Sequence, residues 1–161
     1  AVLLIYIIFC YQKKINHWRF ADLFIPAIPL GFTFGRLGNF INGELYGRVT
    51  ILPWGMYFPL DPTHQLRHPS QLYEAFFEGI FLFLIFWRIR KRKYFDGFFL
   101  SLYLIGYGLI RFFIEFVREP VSNTAFKLGP FNLAQVLCLG MILVGIFIIL
   151  TRKPAKKRSP L

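Results

Sequence analysis

At 161 residues, 56% hydrophobic and 20% aromatic, with a mean hydropathy of +0.52, the chain is more apolar than a water-soluble domain of this size needs. A bilayer is its natural solvent. The net charge of +11 does not mark a nucleic-acid binder, because 13 of the 19 basic residues fall in three short clusters beside long apolar runs, the pattern that sets membrane topology.

The sequence predicts an all-α fold, a polytopic integral membrane helical bundle of about five spans: residues 1–11, 20–37, 72–87, 97–117 and 130–150. The first run is about half of the ~20 residues that a span requires. The chain therefore reads as one membrane domain over 1–161, the C-terminal part of a larger protein with its first span truncated. Cys10 and Cys138 sit inside apolar runs, without Cys-x-x-Cys spacing or a neighbouring histidine. They read as small buried hydrophobes.

Lys13, Lys14 and Arg19 follow the first run; Arg88, Arg90, Lys91, Arg92 and Lys93 follow the third; Arg152, Lys153, Lys156, Lys157 and Arg158 follow the fifth. Alternating spans put all three clusters on one side, accompanied only by Asp22 and Asp96, so that side carries the whole surplus of 11. By the positive-inside tendency it faces the cytoplasm. This leaves 38–71 as an outward polar loop region, 118–129 as a second outward link, and 151–161 as a basic cytoplasmic tail against anionic lipid.

In the second segment Pro26 and Pro29 should kink or interrupt the helix. Gly31 and Gly35 have the spacing that lets membrane helices approach closely, so the segment is expected inside the bundle. At its outward end lies the densest polar stretch, Gly35 to Arg48, with four glycines in 13 positions. Arg36 supplies a forked cation, Glu44 an acid to hold it, and Asn39 and Asn42 neutral donors and acceptors. That set suits a phosphate at a membrane surface. The plainer alternative is a snorkelling arginine and asparagines at a helix end.

Tyr103, Tyr107, Arg111, Glu115 and Arg118 recur at steps of four and three, forming one polar stripe on the fourth segment. An arginine there costs on the order of 3 kcal/mol to insert, so it should face a polar interior. Arg111 and Glu115 could simply lock two helices. If segments two and four meet, however, Arg36 and Arg111 share one cavity, and two like charges call for an anion between them. A third group, His68-Pro69-Ser70-Gln71-Leu72-Tyr73-Glu74, leads into the third segment, and Gln71, Glu74 and Glu78 share a face. It reads equally as a helix start, with Pro69 in the first turn, and as a catalytic setting for His68.

At these residues the sequence closely resembles the bacterial prolipoprotein diacylglyceryl transferases. Gly-Arg-Leu-Gly-Asn-Phe-Ile-Asn-Gly-Glu-Leu-Tyr-Gly from Gly35 to Gly47 matches that family's signature. His68 to Glu74 and Arg111 to Pro120 match two further blocks in the same order. The resemblance implies a multi-pass enzyme of the bacterial cytoplasmic membrane, its site facing the outer leaflet. It would transfer the diacylglyceryl group of phosphatidylglycerol to the lipobox cysteine of a prolipoprotein signal peptide and release glycerol phosphate. The partners are thus that lipid and that peptide within membrane lipid, with no nucleic acid, cofactor or metal.

Carried over residue by residue, Arg36 and Arg111 match the family's essential arginines. Asn39, Glu44, Gly47 and Glu115 match other important positions, and Tyr107 and His68 lie near such positions. The catalytic set expected is Arg36, Arg111, Glu115, Asn39 and Glu44. Substrate contacts are expected from Arg36, Asn39, Asn42, Gly47, Tyr107, Arg118 and His68. The family resembles a seven-span bundle with an upstream His-Gly-Gly block that this sequence lacks; that histidine is one candidate base for the thiol. Rival readings are half of an anionic-lipid transporter or flippase, and a structural membrane subunit. An aminoalcohol phosphotransferase is disfavoured, since the three Asp are not clustered for metal.

Overall fold

The computed structural model describes residues 2–91, 94–119, 127–128 and 131–152. Arg92, Lys93, most of the 118–129 link and the basic tail from 153 lie outside the described residues. Helix α1 (Val2–Gln12) turns into α2 (His17–Phe24), where the Asn16 side chain accepts from the N–H groups of Trp18 and Arg19. This satisfies two donors that a helix start leaves free. Pro26 and Pro29 do not end the helix. A 3-10 turn at Ile25–Ala27 carries it into α3 (Ile28–Ile41). Each proline sits in the first turn of the piece it begins, where a missing N–H costs little, so the expected 20–37 segment is one kinked helix from His17 to Ile41.

The third segment also runs further than expected, through α4 (Ser70–Tyr73), a π-helical stretch (Glu74–Phe81) and α5 (Leu82–Ile89). Helix α6 (Phe98–Ile114) is followed by an unpredicted antiparallel hairpin, β1 (Lys127–Leu128) with β2 (Phe131–Asn132). Two-residue strands are too short to leave an alternating pattern. Helix α7 (Leu133–Thr151) begins three residues later than expected, at a capping box between Asn132 and Gln135. By length and apolarity, His17–Ile41 and Leu133–Thr151 are able to cross a bilayer, and Phe98–Ile114 is a shorter apolar helix.

Phe34, Leu143, Phe147 and Leu150 are exposed, whereas Gln71, Glu74, Glu78, Ser101 and Arg111 are buried. A water-soluble protein sorts these residues the other way. Ile25, Leu82, Phe86 and Phe99 form an apolar core where the kink of the first long helix meets α5 and the start of α6. At the same end the Asp22 carboxylate accepts from the N–H groups of Gly97, Phe98 and Leu100 at 2.7, 3.1 and 3.1 Å. A residue on α2 thus caps the positive end of α6.

Close helix approach occurs at glycines other than the pair singled out from spacing. A Cβ on Gly79 would fall on the Thr33 hydroxyl of α3, and Cβ atoms on Gly108 and Gly145 would stand 3.0 Å from the Cys138 carbonyl and 2.8 Å from the Ser101 carbonyl. These small residues bring α3 against the π-helical stretch and α6 against α7. Gly31 and Gly35 meet nothing within 4 Å among the described residues, and Phe34 and Ile28 on the same helix are exposed. Only one face of that helix is inside the bundle.

The 42–69 region folds into a cap. Helix α3 ends with Gly43 at φ 71°, Gly43 N–H bonding the Phe40 carbonyl and Glu44 N–H the Asn39 carbonyl, a Schellman closure. The chain then threads between two neighbours: Gly47 N–H donates to His68 O at 2.8 Å, His68 N–H to Arg48 O at 3.0 Å, and Arg48 N–H to Val117 O at 2.8 Å. Further along, Asp61 receives Arg67 Nε at 2.8 Å and Nη2 at 3.0 Å, with the Thr63 hydroxyl at 2.7 Å. The Tyr46 ring lies 5.0 Å beneath the Arg67 guanidinium, and Glu119 approaches it at 3.3 Å. The Arg67 hydrogen bonds hold the Asp61 carboxyl well below the usual carboxylate range.

Two outcomes follow from the cap. A Cβ on Gly47 would lie 2.6 to 2.8 Å from the Val117 and His68 carbonyl oxygens and His68 Cβ, backbone that cannot rotate away. Gly47→Ala should therefore lower stability by about 2 kcal/mol or more, by the usual cost of overpacking, in thermal unfolding of the purified protein. For Asp61 the folded pKa lies below the unfolded value near ~3.9, so its contribution is present above that value and is lost as pH falls through the folded one. Asp61→Asn should be less stable than wild type at pH 7, with the gap narrowing below about pH 4; a gap independent of pH would refute the latch.

Candidate polar centre

The C-terminal ends of α3 and α6 and the first turns of the helix from Ser70 bring six charged side chains together. Arg36 comes from α3, Arg111 from the last turn of α6, and Arg118 from the turn beyond it; Glu74 and Glu78 come from the π-helical stretch, and Glu115 follows α6. Departures from α-helical winding of this kind recur at functional sites. Here the stretch is held to α3 by the Thr33 hydroxyl, which donates to the Ala75 carbonyl at 3.2 Å.

Glu74, 1% exposed, is the hub. Its Oε2 lies 2.6 Å from Arg36 Nε, and its Oε1 lies 3.2 Å from Arg111 Nη1 and 3.6 Å from Arg118 Nε. Arg111 also donates from Nη2 to Glu115 at 2.9 Å and stands 3.7 Å from Glu78. The second Glu115 oxygen accepts from Asn132 Nδ2 at 2.9 Å, which ties the start of α7 to the centre. Three guanidiniums thus face three carboxylates, the condition for keeping such charges out of water.

The pairing is incomplete in hydrogen-bond terms. Arg36 Nε, Arg111 Nη1 and Arg118 Nε are buried, and none has an acceptor in hydrogen-bond geometry among the described residues; Glu74 Oε2, both Glu78 oxygens and Gln71 Oε1 are equally unbonded. The short Arg36–Glu74 contact is therefore a Coulombic approach off the N–H direction. Buried polar atoms in this state are uncommon, and a cluster of them marks a place where another polar partner belongs.

Around the hub the expected residues fall into two groups. Arg36 Nη1 donates to Asn39 at 3.4 Å, Asn39 Nδ2 to Glu44 at 2.8 Å, and Asn42 Nδ2 to the same Glu44 oxygen at 3.4 Å. Glu44 thus organises the asparagines, and its backbone carbonyl accepts from Gln71 at 2.7 Å. The acid that holds Arg36 is Glu74, which corrects the role expected of Glu44: Glu44 lies beyond the end of α3, whereas Glu74 comes from a helix packed beside it. Tyr107 stacks on Tyr103 at 5.5 Å and meets Phe32 edge-on at 5.9 Å, while Arg36 lies 4.7 Å over the Phe32 ring. Tyr107 thereby lines the apolar wall beside the arginines.

His68 and Gly47 sit further out. His68 Nδ1 faces the Tyr73 hydroxyl at 3.3 Å, and that hydroxyl also accepts from Trp54 Nε1 at 2.8 Å. Burial disfavours the charged imidazole and lowers the His68 pKa. Gly47 contributes backbone to the cap and pairs there with the backbone of Arg118. The residues missed from the expected set are Glu74 and Glu78. The available signal was a pair of acids inside an apolar segment, which are costly there and need a cationic partner.

A helical bundle with apolar side chains outward and an arginine–carboxylate centre inward is a membrane protein with an internal polar site. The family model described as "Prolipoprotein diacylglyceryl transferase" matches residues 1–151, and the chain belongs to that family. A phosphatidylglycerol-prolipoprotein diacylglyceryl transferase of Chlorobaculum tepidum is 60% identical over 146 residues, 91% of this chain and 50% of the relative. Like-named proteins of Haemophilus influenzae and Desulfotalea psychrophila are 50% and 44% identical, over 86% and 99% of this chain and 51% and 60% of their own lengths. The chain spans about half the length of the curated relatives it matches.

Breaking a buried ion pair from one side leaves an uncompensated charge, at a cost of about 3 to 5 kcal/mol. Glu115→Ala, which also deprives Asn132 of its acceptor, should be destabilised on that scale in denaturant or thermal unfolding. Loss below about 1 kcal/mol would contradict this placement of the pair.

Proposed function

We propose that the full-length protein transfers the diacylglyceryl group of phosphatidylglycerol to the thiol of a prolipoprotein lipobox cysteine, the first step of lipoprotein maturation. The observation that carries the reading is the convergence of Arg36, Arg111 and Arg118, each with a buried N–H lacking an acceptor in hydrogen-bond geometry among the described residues. The names of the relatives supply the substrates. An apolar groove of about 350 Å³ lined by Tyr73, Phe77, Ile110, Phe113, Ile114 and Val117 lies next in sequence to Glu74 and Arg118. It offers a hydrocarbon path beside the charged centre.

In this mechanism the cysteine sulfur attacks the glyceryl carbon that bears the phosphate ester. The carbon–sulfur bond forms as the carbon–oxygen bond breaks, and the electron pair leaves on glycerol phosphate. The thiol proton passes to the departing phosphate or to water. Arg36 and Arg111 hold the phosphate and stabilise its growing charge, through charge-assisted hydrogen bonds of ~1.5 to 3 kcal/mol each; Arg118 adds a third donor. A guanidinium keeps its proton and is not the base. Glu115 orients Arg111, Asn39 and Asn42 bond the head group, and Tyr107 walls the cavity. The chain contributes about five spans of one membrane domain, with the basic clusters cytoplasmic and the 38–71 cap and polar centre facing the outer leaflet.

The test is phosphatidylglycerol-dependent lipidation of a lipobox peptide by the full-length protein, with glycerol phosphate release measured in parallel. Arg111→Ala should lose at least ~100-fold in turnover, as removal of one charge-stabilising group does elsewhere. Arg111→Lys should remain impaired, since an ammonium lacks the planar fork. Near-normal turnover in both, or lipid movement without glycerol phosphate, would reject the reading.

A further inference from the structure

We infer that Glu74 is an internal stand-in for the substrate phosphate: a positioning residue whose carboxylate occupies the anion position between three arginines and competes with the lipid head group for it. This rests on the phosphate-binding reading above and goes further, because it assigns a role in the site to a carboxylate rather than a cation. Like charges at Arg36 and Arg111 need an anion between them, and the protein supplies one. Glu74 Oε2 faces Arg36, and its Oε1 is shared between Arg111 and Arg118.

The chain itself shows what a purely structural pair looks like. Asp61 and Arg67 meet through two formed hydrogen bonds at 2.8 and 3.0 Å, with Thr63 completing the carboxylate. Arg111 and Glu115, an arginine and the acid that orients it, also make a formed bond at 2.9 Å. The contacts to Glu74 differ. The three guanidinium nitrogens nearest to it are those left without an acceptor in hydrogen-bond geometry. Glu74 therefore neutralises the arginines without saturating them. A counter-charge stands among them while no substrate is bound, and their N–H groups stay available to a tetrahedral oxyanion.

Competition has a sign. The Glu74 carboxylate already sits against all three arginines, so an incoming phosphate has to displace it from that position. Replacing Glu74 by glutamine keeps its shape and removes one negative charge from among the arginines. Anions should then bind more tightly, and the anionic product should leave more slowly.

The experiment measures inhibition by glycerol phosphate in the full-length protein, with steady-state lipidation as the readout. In Glu74→Gln the inhibition constant should fall ~tenfold, equivalent to 1.4 kcal/mol. KM for phosphatidylglycerol and kcat should fall together, whereas a mere loss of packing would raise KM. Glu74→Asp keeps the charge and should stay near the wild-type inhibition constant. An unchanged or higher constant in Glu74→Gln, or an equal fall in Glu74→Asp, overturns the inference while wild-type transfer stands. Wild type that neither releases glycerol phosphate nor is inhibited by it overturns the function as well. If Glu74→Gln fails to fold, glycerol phosphate added during extraction should restore its yield and neutral glycerol should not. No restoration by the phosphate overturns the inference.

Discussion

A charged group taken out of water must find its counter-charge inside the protein, and this chain meets that condition at one carboxylate. Glu74 touches arginines from α3, from α6 and from the turn beyond α6. Through Arg111 the network reaches Glu115, and through Glu115 it reaches the Asn132 cap that begins α7. Four long helical elements are thus joined at one end, three by charge neutralisation and α7 by the Asn132 hydrogen bond. Most large hydrophobic side chains on α7, such as Leu143, Phe147 and Leu150, face outward, and only Cys138, Gly145 and Ile148 join Gln135 among its buried residues.

The opposite end is held differently. There Ile25, Leu82, Phe86 and Phe99 make an apolar core, and the Asp22 carboxylate is satisfied by backbone N–H groups at the start of α6. Helix α6 therefore runs from a neutralised backbone terminus to a neutralised cluster of side chains. Glycine contacts at Gly79, Gly108 and Gly145 set the helix separations between these ends, as close packing requires where hydrophobic burial gives little preference for one helix neighbour over lipid.

Next to the polar centre lies a cap ordered mainly by backbone hydrogen bonds and the Asp61–Arg67 pair. Its threading at Gly47 joins the segment after α3 to His68 before α4 and to Val117 after α6. The same three strands of backbone carry Arg36, Glu74 and Arg118. A cap that fixes their backbone also limits how far the arginines can separate.

Composition and charge clustering were enough to determine a helical membrane protein, because hydropathy and the placement of Lys and Arg are properties of the chain itself. The Gly35 to Gly47 and Arg111 to Pro120 blocks determined the family and the two central arginines. Helix limits were less legible: the interruption expected at Pro26 and Pro29 is a 3-10 turn, but the helix extends beyond 20–37 at both ends, and the hairpin before α7 is too short to leave a pattern. The partner of Arg36 was not legible. Glu44 is eight residues away in sequence and Glu74 is 38 away, and only the packing of the π-helical stretch against α3 puts the distant acid in contact. Sequence spacing reports neighbours on one helix, whereas a charge hub between helices depends on how those helices pack.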